Sequence, residues 1–170
     1  MLSPMPRSIR TPVVAAAALG ALAIVPSAAL AAPPQCTTAD LSAKVGQVGA
    51  GAGQRNAPLV LTNHSGHTCK TAGYVGLQLA NASGKKIPTS TQRVAGQTPV
   101  ITLKPGQQAV SQLQWTVIAT GSEPVDGPCE PNPSDLLVIP PNQTTQTATA
   151  WKSGPVCGFG KFSVTPLKRK

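Results

Sequence analysis

Beyond residue 31, the chain alternates short apolar runs with turn-forming residues and has no long stretch with the apolar spacing of an amphipathic helix. This pattern predicts β-strands. The clearest strand covers 108–118, where Leu113, Trp115 and Val117 fall on one face, and glutamine and threonine lie mainly on the other. We therefore expect Trp115 in the core. About eight such strands predict an all-β protein, an immunoglobulin-like antiparallel β-sandwich.

The other predicted strands are shorter, and each ends at a turn signal. They are placed at 41–48, 58–62, 74–79, 87–94, 100–103, 136–139, 144–151 and 161–164. We expect 87–94 to pair back on 74–79 as a hairpin, and the glycine-rich 49–53 to be too poor in side chains to pack. Lys104-Pro105-Gly106 predicts a type II turn. Residues 120–134 are rich in glycine, proline and acid, which predicts a loop.

The N-terminal segment has the pattern of an export signal. Arg7 and Arg10 precede an uncharged apolar run at 13–25, which is shorter than the roughly 20 residues that span a bilayer. Ala29 and Ala31 supply the small residues that signal peptidase requires three and one positions before its cut. We therefore predict cleavage after Ala31.

Cleavage there leaves a signal peptide, 1–31, and a single secreted domain, 32–170. Cys36 does not stand in a lipoprotein motif, so we expect no lipid anchor, and the apolar run at 13–25 is too short for us to expect a transmembrane anchor. Loss of the two leader arginines lowers the formal net charge from +9 to +7. The remaining bases are scattered along the sequence, except for Lys168-Arg169-Lys170 at its end.

The charge and composition restrict the classes of partner. The scatter of the bases indicates solubility more than a designed patch, and weak association with anionic envelope polymers, and so with the wall, is an alternative that this charge leaves open. The few aromatic residues are not interleaved with basic ones, which argues against nucleic-acid binding. The expected partner is therefore an extracellular or cell-surface ligand whose identity the sequence does not give.

All four cysteines lie in the predicted exported part, where thiols oxidise, and this predicts two disulfides. Four cysteines allow three pairings, and the sequence does not choose among them. Cys36 with Cys69 and Cys129 with Cys157 are preferred, because each bridge closes a local loop. No pair has the short spacing of a zinc knuckle, so a metal site built on cysteine is not expected.

Two loops carry the side chains with the most chemistry. The turn 63–68 contains both histidines of the chain, but two histidines alone do not make a metal site. The acidic loop 123–135 lacks the dense Asp and Asn spacing of a calcium loop. A Gly-x-Ser-x-Gly nucleophile elbow is absent from the sequence. We therefore predict no catalytic residue, cofactor or metal, and treat both loops as candidate binding loops. Their candidate residues are Asn63, His64, His67, Glu123, Asp126 and Glu130.

Several short motifs follow one another in a characteristic order. They are Cys36-Thr37-Thr38-Ala39-Asp40-Leu41, Asn63-His64-Ser65-Gly66-His67-Thr68-Cys69, Gly73-Tyr74-Val75-Gly76, Leu103-Lys104-Pro105-Gly106, Trp115, Pro140-Pro141, Cys157-Gly158 and Val164-Thr165-Pro166-Leu167. Together they resemble a family of secreted actinobacterial domains of unknown function. The resemblance implies an exported β-sandwich with two disulfides and no assigned activity. The chain departs from the pattern at Val75, where proline is expected.

The leading hypothesis is an exported, non-enzymatic module that binds a ligand at or outside the cell surface through loops at one end of a sandwich. One alternative is a metal-handling protein or hydrolase that uses His64, His67 and the 123–135 loop. The other is a structural component of the envelope without a small ligand.

Overall fold

A computed structural model describes residues 31–170. The predicted signal peptide lies outside the described residues, apart from Ala31, so the cleavage and the domain boundary stay predictions. Within 31–170, no helix is long and apolar enough to cross a membrane. The described chain is mostly β. Its strands are β1 (Leu41–Val45), β2 (Gly49–Gly51), β3 (Gln54–Asn63), β4 (Cys69–Thr71), β5 (Gly76–Ala80), β6 (Ser90–Arg93), β7 (Ile101–Leu103), β8 (Gln108–Thr116), β9 (Asp135–Ile139), β10 (Thr147–Ala150), β11 (Lys161–Val164) and β12 (Lys168–Arg169).

The strands form a large sheet, a small sheet and an extra ribbon. The large sheet has the order β1-β3-β8-β11-β6, with β2 beside β3 and β12 beside β8. The small sheet has the order β10-β9-β5, and β4 pairs with β7. Among the described pairs, β6 with β11 is parallel and the others are antiparallel. The all-β prediction is confirmed, whereas the immunoglobulin-like assignment stays a prediction.

The predicted alternation along β8 is confirmed. Leu113 and Trp115 are buried, while Gln112 and Gln114 are exposed on the opposite face. The indole of Trp115 lies 4.9 Å from that of Trp151, between ring centroids, and 5.9 Å from the ring of Phe162. Such aromatic pairs contribute about 0.5–1.5 kcal/mol each beyond the area that they bury. Trp151 directly follows β10 of the small sheet, whereas Trp115 and Phe162 lie on the large sheet. The aromatic cluster therefore joins the two sheets.

One hydrophobic core lies between the two sheets. The small sheet contributes Leu79 and Leu136, and the large sheet contributes Leu59, Leu61 and Leu113, all at most 1% exposed. Burying one such side chain stabilises the fold by about 1.5–3 kcal/mol. The inner faces are therefore committed to packing, and the outer faces and the two ends remain for function.

The predicted hairpin between 74–79 and 87–94 is wrong beyond its first contacts. The Ile87 N–H donates to the Leu79 carbonyl at 2.9 Å, as a hairpin requires. The hydroxyl of Thr89 then accepts the Leu79 N–H at 2.9 Å, so a side chain takes the place of the next ladder bond. The chain leaves β5 at this point, and β6 pairs in parallel with β11 instead.

Residues 49–51 form a strand that the glycine-rich pattern did not predict, although none of residues 49–53 is buried. Gly49–Gly51 forms β2 and pairs with the start of β3 in antiparallel register. A strand ladder is made by backbone N–H and C=O groups, so glycine and alanine can complete one without side-chain packing. The turn prediction at Lys104-Pro105-Gly106 is confirmed, because the Gln107 N–H donates to the Lys104 carbonyl at 2.9 Å and Gly106 has φ +80°.

The preferred disulfide pairing is confirmed, with Cys36 bonded to Cys69 and Cys129 bonded to Cys157. Disulfides persist in oxidising compartments, so both bridges are consistent with an extracellular location, while secretion itself stays a prediction. The first bridge lies near the turn that follows β3, and the second joins the loop after β8 to the turn before β11. The two bridges therefore lie near opposite ends of β3, whose ten residues span about 30 Å.

Candidate functional site

The turn 63–68 is built around the side chain of Asn63, which is fully buried. Asn63 Nδ2 donates to the carbonyl oxygens of His67 and Leu103, at 2.8 and 2.9 Å. Asn63 Oδ1 accepts the backbone N–H of Ser65 at 3.0 Å and its hydroxyl at 2.7 Å. Because its polar atoms are used by the turn, Asn63 positions the loop and is not accessible to a ligand.

The two histidines of this turn are exposed, and one of them lies near a carboxylate. His67 Nε2 lies 3.6 Å from Asp40 Oδ1. The other oxygen of Asp40 accepts the hydroxyl and the backbone N–H of Thr37, both at 2.7 Å, and these bonds lower the pKa of Asp40. In residues 31–170, no group of three or more His, Cys, Asp and Glu side chains has the arrangement of a metal site.

Basic residues from three parts of the chain converge beside this turn. Lys70 on β4 stands opposite Thr102 on β7, whose carbonyl oxygen accepts a hydrogen bond from Arg169 Nη2 at 2.7 Å. Arg169 Nη1 donates to Gln107 Oε1 at 3.2 Å, and that oxygen also accepts the Lys104 N–H at 3.0 Å. We define the basic end as Lys70, Lys104, Lys168, Arg169 and Lys170.

Hydrogen bonds hold two cations of the basic end in place, and no salt bridge neutralises any of the five. Among the described residues, the one contact within 4 Å between a carboxylate and a basic side chain is that of Asp40 with His67, so no carboxylate forms a salt bridge to the five bases. Arg169 is fixed by two uncharged acceptors, which leaves part of its five-donor guanidinium free. Lys170 Nζ is held by Gln108 Oε1 at 3.0 Å. Sequence reasoning identified only the last three bases, because Lys70 and Lys104 join them through strand pairing.

At the other end, Glu123 joins two loops. Its carboxylate is 6% exposed and accepts the backbone N–H groups of Thr120, Gly158 and Phe159 at 2.6, 2.9 and 2.8 Å. Burial by itself raises the pKa of Glu123, but these bonds and one from the Thr120 hydroxyl outweigh burial and lower the pKa to about 2. Glu123 is therefore an ionised anchor and not an exposed binding group.

The anchored turn presents an aromatic ring. Phe159 is 51% exposed and has φ +58°, in the left-handed region that costs a non-glycine residue roughly 1–2 kcal/mol. Gly160 follows at φ +70°, and any Cβ there would collide with the Pro88 carbonyl oxygen. The carboxylate of Glu123 and the adjacent disulfide at Cys157 hold this backbone in place. An exposed aromatic on a strained, doubly held turn is typical of a binding surface.

The other two acids of this loop differ in their surroundings. Asp126 is exposed, whereas Glu130 is partly buried, and burial together with the nearby Glu123 carboxylate raises the pKa of Glu130. A folded-state pKa above the ordinary value of 4.5 means that stability decreases as the pH rises through this range, so the charge of Glu130 opposes folding at neutral pH.

We therefore expect Glu130→Gln to raise the free energy of unfolding at pH 7 by about 0.5 kcal/mol, since the neutral amide avoids the cost of burying a charge. Urea unfolding at pH 7 and pH 3 checks this result. The gain disappears at pH 3, where the wild-type carboxyl group is already protonated. A loss of stability at pH 7 would show that the charge of Glu130 has a stabilising partner.

The family comparison covers most of the described chain, up to residue 168. A family described as "Domain of unknown function (DUF4232)" matches residues 36–168, which include all four cysteines, the turn 63–68, Glu123 and Phe159. No curated protein and no solved structure matches the chain. Since the match spans most of its length, the chain belongs to the DUF4232 family.

Proposed function

We propose that this domain is a non-enzymatic binding module that holds an anionic polymer at or outside the cell surface through its basic end. The observation that carries the proposal is the convergence of five bases from separate segments, none of them neutralised by a carboxylate within the described chain. Partners that place negative charges along an extended chain fit such a surface, because several cations can contact them together.

The distribution of acids supports the same assignment. Glu123, Asp126 and Glu130 lie in the loop after β8, about 30 Å from the basic end along β3. A polyanion is therefore attracted to the end that carries the five bases and is repelled by the loop that carries these three acids. A net charge spread evenly over the surface would give attraction without orientation.

The hydrogen bonds of the polar side chains near the basic end favour binding over catalysis. The side-chain oxygen of Asn63 and one carboxylate oxygen of Asp40 are already used within the fold. No described hydrogen bond joins the imidazole of His64 or His67 to a hydroxyl group, as nucleophile activation would require. The cations of the basic end remain available, and they attract anions without acting on them chemically.

We expect the triple variant Lys104→Gln/Arg169→Gln/Lys170→Gln to bind long-chain polyphosphate at least about tenfold more weakly than the wild type at low salt. Each lost cation removes a contact of roughly 0.5 kcal/mol or more that is only partly screened at short range. Titration calorimetry at 50 and 200 mM salt measures the affinity. When the salt is raised from the lower to the higher concentration, the wild type is expected to lose more affinity than the variant.

The matched control is Lys85→Gln/Lys86→Gln/Lys152→Gln, which removes the same charge from exposed positions near the opposite end of the small sheet. This control is expected to retain polyphosphate affinity within about twofold. Equal weakening in both triple variants would mean that binding follows net charge alone, and the assignment to the basic end would then fail.

A further inference from the structure

A second feature lies on the outer face of the large sheet, toward the end that carries the 120–134 loop. It is a shallow groove of about 390 Å³, within the roughly 300–1,000 Å³ of small-ligand pockets. Mostly neutral polar side chains line it, and no carboxylate does. We define the amide groove by Gln54, Gln92, Gln114, Thr116, Ser163 and Lys161.

Strand register sets the spacing of these groups. Gln92 on β6 stands opposite Ser163 on β11, and Ser163 stands opposite Gln114 on β8, so the three form one row across three strands. Gln54 and Thr116 face each other in the next row. Neighbouring strands are about 4.8 Å apart, and rows on one face are about 7 Å apart. The groove therefore offers a lattice of amides and hydroxyls on a rigid support.

The hydrogen-bonding capacity of this lattice is largely unused. The side-chain amides of Gln54, Gln92 and Gln114 form no hydrogen bond with any described residue. By contrast, the amides of Gln78 and Gln108 are both engaged within the fold. Each free amide offers one acceptor oxygen and two N–H donors, a set that matches a hydroxyl group, which both donates and accepts.

An exposed aromatic ring stands next to the groove. Gly158 lines the groove together with Thr120, and Phe159 follows Gly158 in the turn anchored by Glu123. The ring of Phe159 lies beside Gly121, where an added Cβ would be 3.7 Å from its edge. An aromatic face next to a row of amides offers an apolar surface and hydrogen-bonding groups to the same ligand.

We propose that the amide groove is a binding site for a neutral oligosaccharide. Sugar hydroxyls pair with the free amides of Gln92 and Gln114, and the apolar face of a ring packs on Phe159. The site is separate from the basic end and does not depend on the function proposed for it. Lys161 is the one charged group among the defining residues, and its ammonium group can also donate hydrogen bonds to sugar hydroxyls.

The proposal is tested by applying the purified protein to an array of uncharged oligosaccharides and titrating the strongest binder by NMR. We expect binding that shifts the backbone amide signals of residues 92, 114 and 163. Gln114→Ala and Gln92→Ala are each expected to weaken it about tenfold, which corresponds to the loss of one or two hydrogen bonds. Phe159→Asn, which keeps a residue that tolerates positive φ but removes the ring, is expected to weaken it similarly.

Gln112→Ala is the matched control, because Gln112 is an exposed glutamine on the same face of β8 but outside the groove. It is expected to bind the oligosaccharide as the wild type does. The inference is overturned if no sugar on the array binds, or if Gln112→Ala weakens binding as much as Gln114→Ala. Polyphosphate affinity should be unchanged in Gln114→Ala, so failure of this site and failure of the basic end can be told apart.

Discussion

Replacing Glu123 with glutamine is expected to lower the free energy of unfolding by about 2–3 kcal/mol at pH 7. The carboxylate accepts three backbone N–H groups from two loops, and its pKa is lowered from 4.5 to about 2. A difference of this size between folded and unfolded states corresponds to roughly 3 kcal/mol, which solvent screening near the surface reduces. Glutamine retains one acceptor oxygen, but its amide nitrogen cannot accept the remaining N–H group.

The pH dependence of this effect has a definite sign. Because the folded-state pKa of Glu123 lies below its unfolded value, its contribution is complete above about pH 4.5 and is lost as the pH falls toward 2. The stability difference between the wild type and Glu123→Gln should therefore be constant from pH 7 to about pH 5 and narrow steadily below that. Urea unfolding at a series of pH values measures the difference directly.

Asp126→Asn is the control, because it makes the same carboxylate-to-amide change at an exposed position in the same loop. It is expected to alter the free energy of unfolding by at most about 0.5 kcal/mol. If Glu123→Gln and Asp126→Asn have equal effects, or if the effect of Glu123→Gln does not change below pH 4.5, the anchoring role of Glu123 is wrong.

The role of Glu123 illustrates what the sequence predicts and what it does not. The alternation along β8, the proline-glycine turn at 104–106 and the end of β11 at Val164 follow from local patterns, and the structure confirms them. In the sequence, Glu123 is one acid among several in a loop rich in proline and glycine. Two of its three partner residues, Gly158 and Phe159, are more than thirty residues away, and no local periodicity links them to Glu123.

The same limit applies to the binding surfaces. Lys70 and Lys104 join the C-terminal bases only because β4 pairs with β7 and Arg169 reaches the carbonyl of Thr102. The row of Gln92 and Gln114 likewise depends on the parallel pairing of β6 with β11, in place of the predicted hairpin. Periodicity assigns a residue to a face of its own strand, but strand order and register decide which residues become neighbours.

Removing the Cys129–Cys157 disulfide with alanine at both positions is expected to lower the free energy of unfolding by about 3.5 kcal/mol. The bridge closes a loop of 28 residues, and restricting the unfolded chain to this extent contributes roughly that amount in the chain-entropy estimate. Cys157 directly precedes the turn that Glu123 anchors, so the bridge and the carboxylate hold the same backbone. Either restraint alone should keep Phe159 partly in place.

This shared role predicts that the two restraints are coupled. In a double-mutant cycle, Glu123→Gln combined with loss of Cys129–Cys157 should cost about 1 kcal/mol less than the two separate effects together, because the second change acts on a turn already released. Urea unfolding with a stabilising osmolyte keeps the combined variant measurable. The Cys36–Cys69 bridge closes a similar loop, with a separation of 33, at the opposite end of β3 and provides the control.

Loss of Cys36–Cys69 is expected to be similarly destabilising but additive with Glu123→Gln, since about 30 Å separates the two sites. Ligand binding gives an independent measurement. If the amide groove binds sugar as proposed, loss of Cys129–Cys157 should weaken oligosaccharide binding while polyphosphate affinity is retained, because only the turn carrying Phe159 is released. Equal coupling of both disulfides to Glu123 would instead indicate a general loss of rigidity, and Glu123 and Cys157 would then not act together on Phe159.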